Sequence, residues 1–297
     1  MQRSLHLVNF GQALPIRAAI SVCNQTKPMS RNTIFKDKIV WITGASSGIG
    51  AATAIEFSRT GASLILSARS QDKLAEVAKQ CMSAGATRAE VLLLDLEDTA
   101  SLPGKASSAI AVHGRIDVLF NNGGVSQRSL ASETSVDIDR KMMEINYFSG
   151  LILTKAVLPG MIQRNSGWII ANSSISGIFG FPLRSAYAAS KHAVYGFYES
   201  LRAELSHTRI SVSVVAPGRI NTPISLSAVT KDGTPHGQMD SGQERGISAE
   251  RCARAIVTAA AKRKPEAIIG GSEIVMVYLR RIFPRIFFKI VSRINPK

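Results

Sequence analysis

Cysteine is scarce in this sequence. Cys23, Cys81 and Cys252 are the only three, far apart and in no Cys-x-x-Cys or Cys/His cluster. That excludes a disulfide framework and a zinc-finger arrangement, and it suits a reducing compartment. The five histidines fall at no metal-ligand spacing, so no metal centre is expected. His192 in particular reads as structural. No apolar run of 18 residues is free of charge, so the sequence predicts no spanning helix. Internal repeats are lacking too, which excludes a solenoid or propeller. Acid is missing from residues 1–36, where five Lys and Arg stand alone.

That last absence accounts for a third of the net charge of +15. Residues 1–36 carry +5, and residues 262–297 carry +7 from nine basic residues against Glu266 and Glu273. The centre, 37–261, balances 22 basic against 19 acidic residues. A strongly basic chain raises nucleic acid as a partner, but basicity confined to the ends argues against one. Residues 1–36 fit an organelle-targeting presequence. They equally fit an untargeted leader, or an upstream start with Met29 as the true one; no signal-peptide core is present. The remaining layout is a catalytic domain over 37–272 and a basic amphipathic tail over 273–297, in a cytoplasmic or peripheral-membrane protein.

What the sequence does contain is an alternation. Short apolar runs at Ile39–Thr43, Ser63–Ala68, Val91–Asp95, Val118–Asn121, Trp168–Ser173, Ser211–Ala216 and Ala267–Gly270 are separated by helical stretches at 49–60, 71–84, 99–113, 137–163 and 185–205. Continuously apolar strands spaced by helices predict a parallel sheet covered on both faces. The expected fold is α/β, a single doubly wound Rossmann domain with a seven-stranded parallel sheet.

The first strand runs straight into Thr43-Gly44-Ala45-Ser46-Ser47-Gly48-Ile49-Gly50 and then a helix. Strand, glycine turn and helix N-terminus make an anion site that a Cβ would obstruct, as a dinucleotide pyrophosphate requires. In an open sheet, ligands sit at the carboxyl ends of strands, and the polar residues fall there. After the second strand stand Ala68 and Arg69 where an NAD site wants an acid; an Arg fork suits a 2′-phosphate, hence NADP(H). After the third, Asp95-Leu96 can receive the adenine amino group; after the fourth comes the polar turn Asn121-Asn122-Gly123-Gly124. Tyr187 and Lys191, at i and i+4, share a helix face. A phenol is a weak acid or base near neutral pH, and a nearby ammonium lowers its pKa. Ser174, at the end of the fifth strand, can offer a hydroxyl to the same substrate oxygen.

TGASSGIG, the NNGG turn, Asn146 in MMEINYFSG, Ser174, YAASK and PGRINT, in this order over about 37–222, resemble the short-chain dehydrogenase/reductase family. The SARS segment, the loop GQMDSGQERGIS and the tail IGGSEIVMVYLRR are similar to its dehydrogenase/reductase member 7 branch, near the 11-beta-hydroxysteroid dehydrogenases. The resemblance implies that Tyr187 is the acid/base and that Ser174 polarises the carbonyl. Lys191 would hold the nicotinamide ribose while lowering the Tyr187 pKa, and Asn146 would position a relay water. Gly44, Ser46, Ser47, Gly48, Ile49, Gly50, Arg69, Asp95, Leu96, Asn122, Gly123, Pro217, Gly218, Ile220 and Thr222 would contact the cofactor with Tyr187 and Lys191, Thr222 at the carboxamide. A homodimer or homotetramer is implied as well. Gly124 departs from the commoner NNAG, and the added backbone freedom puts cofactor affinity in question.

The implied activity is NADP(H)-dependent interconversion of a carbonyl and a secondary alcohol, with Ser174 and Tyr187 binding substrate. Three rivals compete with it. An extended-type epimerase or dehydratase needs a longer substrate domain after Lys191. A non-catalytic dinucleotide sensor has no use for an intact Ser174/Tyr187/Lys191 set. An NAD-dependent dehydrogenase would share the fold. Residues 223–247, long and polar, read as a substrate lid. In the tail, Arg281, Arg285, Lys289 and Arg293 form a basic stripe beside Ile282, Phe283, Ile286, Phe287, Ile290 and Ile294, with Pro284 in a first helical turn. Residues 281–297 therefore suit peripheral contact with an anionic membrane, and with it a lipophilic substrate. The alternative is a helix packed on its own domain or on a dimer partner.

Overall fold

The computed structural model describes residues 33–294. Residues 1–32, most of the candidate targeting segment, lie outside them. Seven strands, β1 (Ile39–Thr43), β2 (Ser63–Ala68), β3 (Arg88–Leu93), β4 (Val118–Asn121), β5 (Gly167–Asn172), β6 (Ile210–Pro217) and β9 (Glu266–Ile269), form one parallel sheet. Their order is β3-β2-β1-β4-β5-β6-β9. β7 (Ile220–Asn221) and β8 (Ile247–Ser248) form a separate parallel pair.

Period-two alternation builds the core on both faces. Val40 and Ile42 of β1 join Leu64, Leu66, Val118, Phe120, Trp168 and Ile170 on one side. Helices α1 (Gly48–Ser58), α2 (Gln71–Ala84) and α8 (Ala249–Ala261) cover that side through Phe57, Leu74 and Ile256. Ile39, Trp41, Ile65, Leu119 and Ile169 face the other way. There α3 (Leu102–His113), α5 (Ser149–Gln163) and α6 (Ser185–Glu204) cover them through Leu102, Leu153, Val157 and Val194. Phe35, which the sequence assigns to the extension, is wholly buried, edge-on to Phe57 and Trp168.

Three sequence expectations need adjusting. The third strand starts three residues earlier than Val91, paired from Ser63↔Arg88 onward. It is the sheet edge and largely exposed, so its apolar residues do not mark its ends. Asp95 and Leu96 consequently lie beyond it. The stretch 137–163 is one continuous helix in three parts: α4 (Val136–Met143), a π-helical turn (Glu144–Phe148) and α5. By length and composition this helix could cross a membrane, contrary to the expectation of no spanning helix. The charge-free criterion missed it because Lys155 interrupts the run. In the fold, its Leu153, Thr154, Val157 and Met161 lie buried, the three apolar ones against the sheet.

Candidate active site

Chain order reverses between β2-β1 and β4-β5, so the carboxyl ends of β1 and β4 border a crevice. Two strand-end turns are stitched together there. The Thr43 hydroxyl accepts the N–H groups of Asn122 at 3.0 Å and Gly123 at 3.1 Å. The Asn122 amide donates to the carbonyls of Thr43 at 3.0 Å and Gly44 at 3.2 Å. Gly44 and Gly48 have φ of +64° and +54°, a region that favours glycine. A Cβ on Gly50 would collide with the Gly44 carbonyl, and one on Gly44 would stand 2.7 Å from the Gly123 backbone. Ser47, at the N-cap of α1, offers no side-chain cap. First-turn N–H groups without a cap, above glycines that admit no methyl, fit a bound pyrophosphate.

The other expected cofactor contacts ring this cradle unevenly. Leu96 packs where a Gly123 side chain would be, and Thr222 lies against Gly48. Ser46 and Ile49 are half-buried in the turn. Arg69 is exposed beyond β2 and bonds to no described residue through its side chain. Asp95 is exposed too, and its carboxylate accepts its neighbour Glu97 N–H at 3.0 Å. Ile220 is the exception: its side chain is buried in the core, leaving only backbone to offer. Pro217 and Gly218 close β6, and the Pro217 carbonyl accepts the Ser174 hydroxyl at 3.3 Å.

Ser174 follows β5 and caps a short 3-10 turn by accepting Ser176 N–H at 3.1 Å. Tyr187 lies in the first turn of α6, and its side chain shares a cavity wall with Ser174. One turn on, Lys191 is almost fully buried, and its Nζ donates to the Asn172 carbonyl at 2.8 Å and stands 5.9 Å from the Tyr187 ring centroid. Burial pushes the Lys191 ammonium down from 10.5 to about 8. Burial also raises the Tyr187 phenol above its ordinary value; the nearby Ser174 hydroxyl and the charges of Arg184 and Arg128 oppose this without cancelling it. The net shift is upward, and the cations that oppose it are two arginines.

Asn146 stands in the π-helical turn. Its amide donates to the Val125 carbonyl and the Ser190 hydroxyl, both at 3.0 Å, while its oxygen accepts Val125 N–H at 2.9 Å. A Cβ on Gly124 would lie 2.7 Å from that oxygen and 3.5 Å from Lys191 Nζ. The departure from NNAG is therefore a matter of space beside Asn146 and Lys191. Backbone freedom is not used, because Gly124 does not adopt a positive φ.

Ser174 and Tyr187 open on one cavity of about 280 Å³. Its apolar wall includes Phe179, Phe181, Met276 and Ile224; its polar side includes Arg128, Arg184 and Arg219. Residues 223–247 dock over it. Val229 exchanges backbone hydrogen bonds with Ser126 and Arg128, and Asp240 pairs with both Arg128 and Arg184. Sequence reasoning named none of these three charged residues. Arg184 lies three residues before Tyr187 and could have been noticed; Arg128 and Asp240 are 112 residues apart and carry no local signal.

The tail divides into α9 (Val275–Ile282) and α10 (Pro284–Val291), broken at Phe283 just before Pro284. Phe287 is buried against Phe179 and Val277, and Ile290 and Ile294 line the cavity. Ile282, Phe283, Ile286 and Phe288 are more than half exposed. Arg281 leaves the expected stripe to pair with Glu266 at 2.9 Å. The apolar residues thus split between an inner and an outer face.

A glycine cradle at the switch point of a doubly wound sheet, beside a serine and a tyrosine at one cavity and a buried lysine one helical turn on, defines a nicotinamide-dinucleotide oxidoreductase. The family model for short chain dehydrogenase matches residues 38–232, and the chain belongs to the short-chain dehydrogenase/reductase family. It is 39% identical over 285 residues to the dehydrogenase/reductase SDR family protein 7-like of Drosophila melanogaster, covering 95% of this chain and 87% of that protein. To dehydrogenase/reductase SDR family member 7B of Rattus norvegicus it is 40% identical over 263 residues, 86% of this chain and 81% of the relative. These relatives place it in the member 7 branch. A Burkholderia phymatum short chain dehydrogenase/reductase solved with NAD shares the fold, with a TM-score of 0.74 at 24% identity over 89% of this chain and 97% of that one.

Proposed function

We propose that the protein is an NADP(H)-dependent oxidoreductase interconverting a carbonyl and a secondary alcohol on a lipophilic substrate. The observation that carries this reading is the shared cavity, where Ser174 and Tyr187 meet an apolar wall. Its volume, about 280 Å³, is near the lower end for small-molecule pockets. A substrate oxygen placed between the two side chains would take a hydrogen bond from the Ser174 hydroxyl, displacing the one to Pro217, and a proton from the Tyr187 phenol. The hydride is what a nicotinamide bound in the cradle supplies. A raised pKa keeps the Tyr187 phenol protonated at neutral pH, the form that has a proton to give, and at the same time makes it a weaker acid. Lys191 would reach the nicotinamide ribose, and Asn146 would order a relay water beyond Gly124.

Arg69 supports NADP(H), as an unpaired guanidinium where a ribose-binding acid would otherwise stand. The outer face of α9 and α10 supports peripheral contact with an anionic membrane: four exposed apolar side chains beside Arg285, Lys289 and Arg293, none of which is in an ion pair with a described residue. Self-association as a homodimer or homotetramer would cover Phe148 and Ile162, exposed along the Val136–Gln163 helix.

The test is NADPH oxidation with a panel of lipophilic ketones, 4-nitroacetophenone among them. Tyr187→Phe keeps the ring and removes the transferable proton. Turnover is expected to fall by about 10²–10⁴-fold, with NADPH binding by fluorescence titration nearly unchanged. A variant keeping more than about a tenth of the wild-type rate would remove Tyr187 from the role of acid.

A further inference from the structure

The helix that carries Tyr187 has no cap of its own. The N-cap position of α6 is Arg184, whose side chain holds no hydrogen-bond acceptor and makes no cap bond. The second and third residues of the helix are Ala186 and Tyr187, whose N–H groups a capping side chain ordinarily satisfies. Here the acceptor comes from elsewhere. Gln127 Oε1, from the loop after β4, accepts Ala186 N–H at 2.9 Å and Tyr187 N–H at 3.2 Å. Gln127 is 0% exposed. Its Nε2 donates to the hydroxyls of Ser129 at 3.1 Å and Thr134 at 3.0 Å. The orientation of the amide is fixed by chemistry, because the two backbone groups can only donate, whereas the two hydroxyls can accept.

Resting on the proposed role of Tyr187 as proton donor, we infer that Gln127 is a positioning residue for the reaction, capping the catalytic helix across the fold and fixing where the Tyr187 phenol stands. It touches neither the cradle nor the cavity. Its neighbours do: Arg128 lines the cavity and, with Arg184, holds Asp240 of the docked 223–247 segment. One short stretch, Ser126 to Ser129, therefore secures both the helix start and the covering segment. The charged and titratable groups around the phenol are Arg184 and Lys191 on its own helix, Arg128 on the Gln127 loop, Asp240 on the covering segment, Arg219 after β6, and Glu273 before α9. Adding an anion at position 127 changes this set in a way a purely structural role would not register.

The experiment uses the full chain and compares Gln127→Leu, Gln127→Glu and Tyr187→Phe. In Gln127→Leu, backbone amide exchange across residues 185–188 is expected to accelerate. Its kcat with 4-nitroacetophenone, or whichever panel ketone wild type reduces, should fall by about tenfold to a hundredfold, the scale of a misplacement near 1 Å. The Kd for NADPH should stay within about twofold, since the cradle is not touched. Gln127→Glu keeps the acceptor, and the Ser129 and Thr134 hydroxyls can turn to donate to it. Its kcat should return to within about threefold of wild type, with the alkaline limb of the pH profile displaced upward because a nearby anion disfavours phenolate. Should Gln127→Leu fail to fold, this rescue and displacement in Gln127→Glu decide the matter. Unchanged amide exchange in Gln127→Leu overturns the inference. So does faster exchange with an unchanged kcat, or a Gln127→Glu profile that neither recovers nor moves. An active Tyr187→Phe overturns the role of the phenol and leaves the exchange result to judge the cap alone.

Discussion

Lys191 pays for its place in the site, and replacing it with methionine should stabilise the cofactor-free protein while abolishing turnover. Its ammonium is 4% exposed, and its pKa falls from 10.5 to about 8 because burial disfavours the charged form. A fall of that size corresponds to about 3 kcal/mol of disfavoured charge at neutral pH. Methionine has a similar length and no charge, but it strands the Asn172 carbonyl that Nζ serves at 2.8 Å, a loss of about 1 kcal/mol. The difference leaves a gain of about 2 kcal/mol, which for a domain of this size raises Tm by about 4–6 °C. The sign with pH follows from proton counting. Below the folded value of about 8 both states are protonated, and the folded protein carries the whole penalty. Between about 8 and 10.5 the unfolded chain binds more protons, so wild-type stability rises with pH and the advantage of Lys191→Met closes. Calorimetry or thermal melts of both proteins at about pH 7, 9 and 10 measure this. A variant that melts below wild type at about pH 7, or a gap that persists unchanged to about pH 10, refutes the reasoning.

The legibility of the fold in the sequence varied with burial. Strands in the middle of the sheet are buried on both faces, so their apolar runs ended where the strands end, as at Ile39–Thr43 and Val118–Asn121. The exposed edge strand gave no such signal, and its apolar residues misplaced it by three positions. At the site, Ser174, Tyr187 and Lys191 were legible because a loop end and an i, i+4 pair are local patterns. Gln127 was not, since its two partners lie 59 and 60 residues away and nothing in a Ser-Gln-Arg-Ser loop announces a cap. The pKa of Tyr187 was illegible for a further reason. Its direction depends on how much solvent the fold removes, and sequence spacing records only that Lys191 shares its helix face. The tail was half legible: its two faces have similar composition, so only the packing of Phe287 on Phe179 separates inner from outer.

Two further outcomes are expected. If Arg69 reads a 2′-phosphate, wild type should prefer NADPH over NADH in kcat/KM by about tenfold or more, the scale of one charge-assisted contact. Arg69→Ala with Ala68→Asp should lose that preference, and equal efficiency with both cofactors in wild type would reject the assignment. For the tail, deleting it is the wrong perturbation, because Ile290 and Ile294 wall the cavity and Phe287 is part of the core beneath. Ile286→Glu with Phe288→Glu alters the outer face, where both side chains are more than half exposed, and removes the Phe288 ring from Phe287 and Arg280. Three unpaired cations, Arg285, Lys289 and Arg293, each contribute about 1 kcal/mol near an anionic surface. Two new carboxylates offset most of that and remove two of the four exposed apolar anchors at once. Flotation with phosphatidylserine-containing vesicles should recover wild type at low salt, less of it at high salt, and little of the double variant at either. Equal recovery of both proteins would mean that the outer face does not meet the membrane, and that the tail serves only as the wall of the cavity.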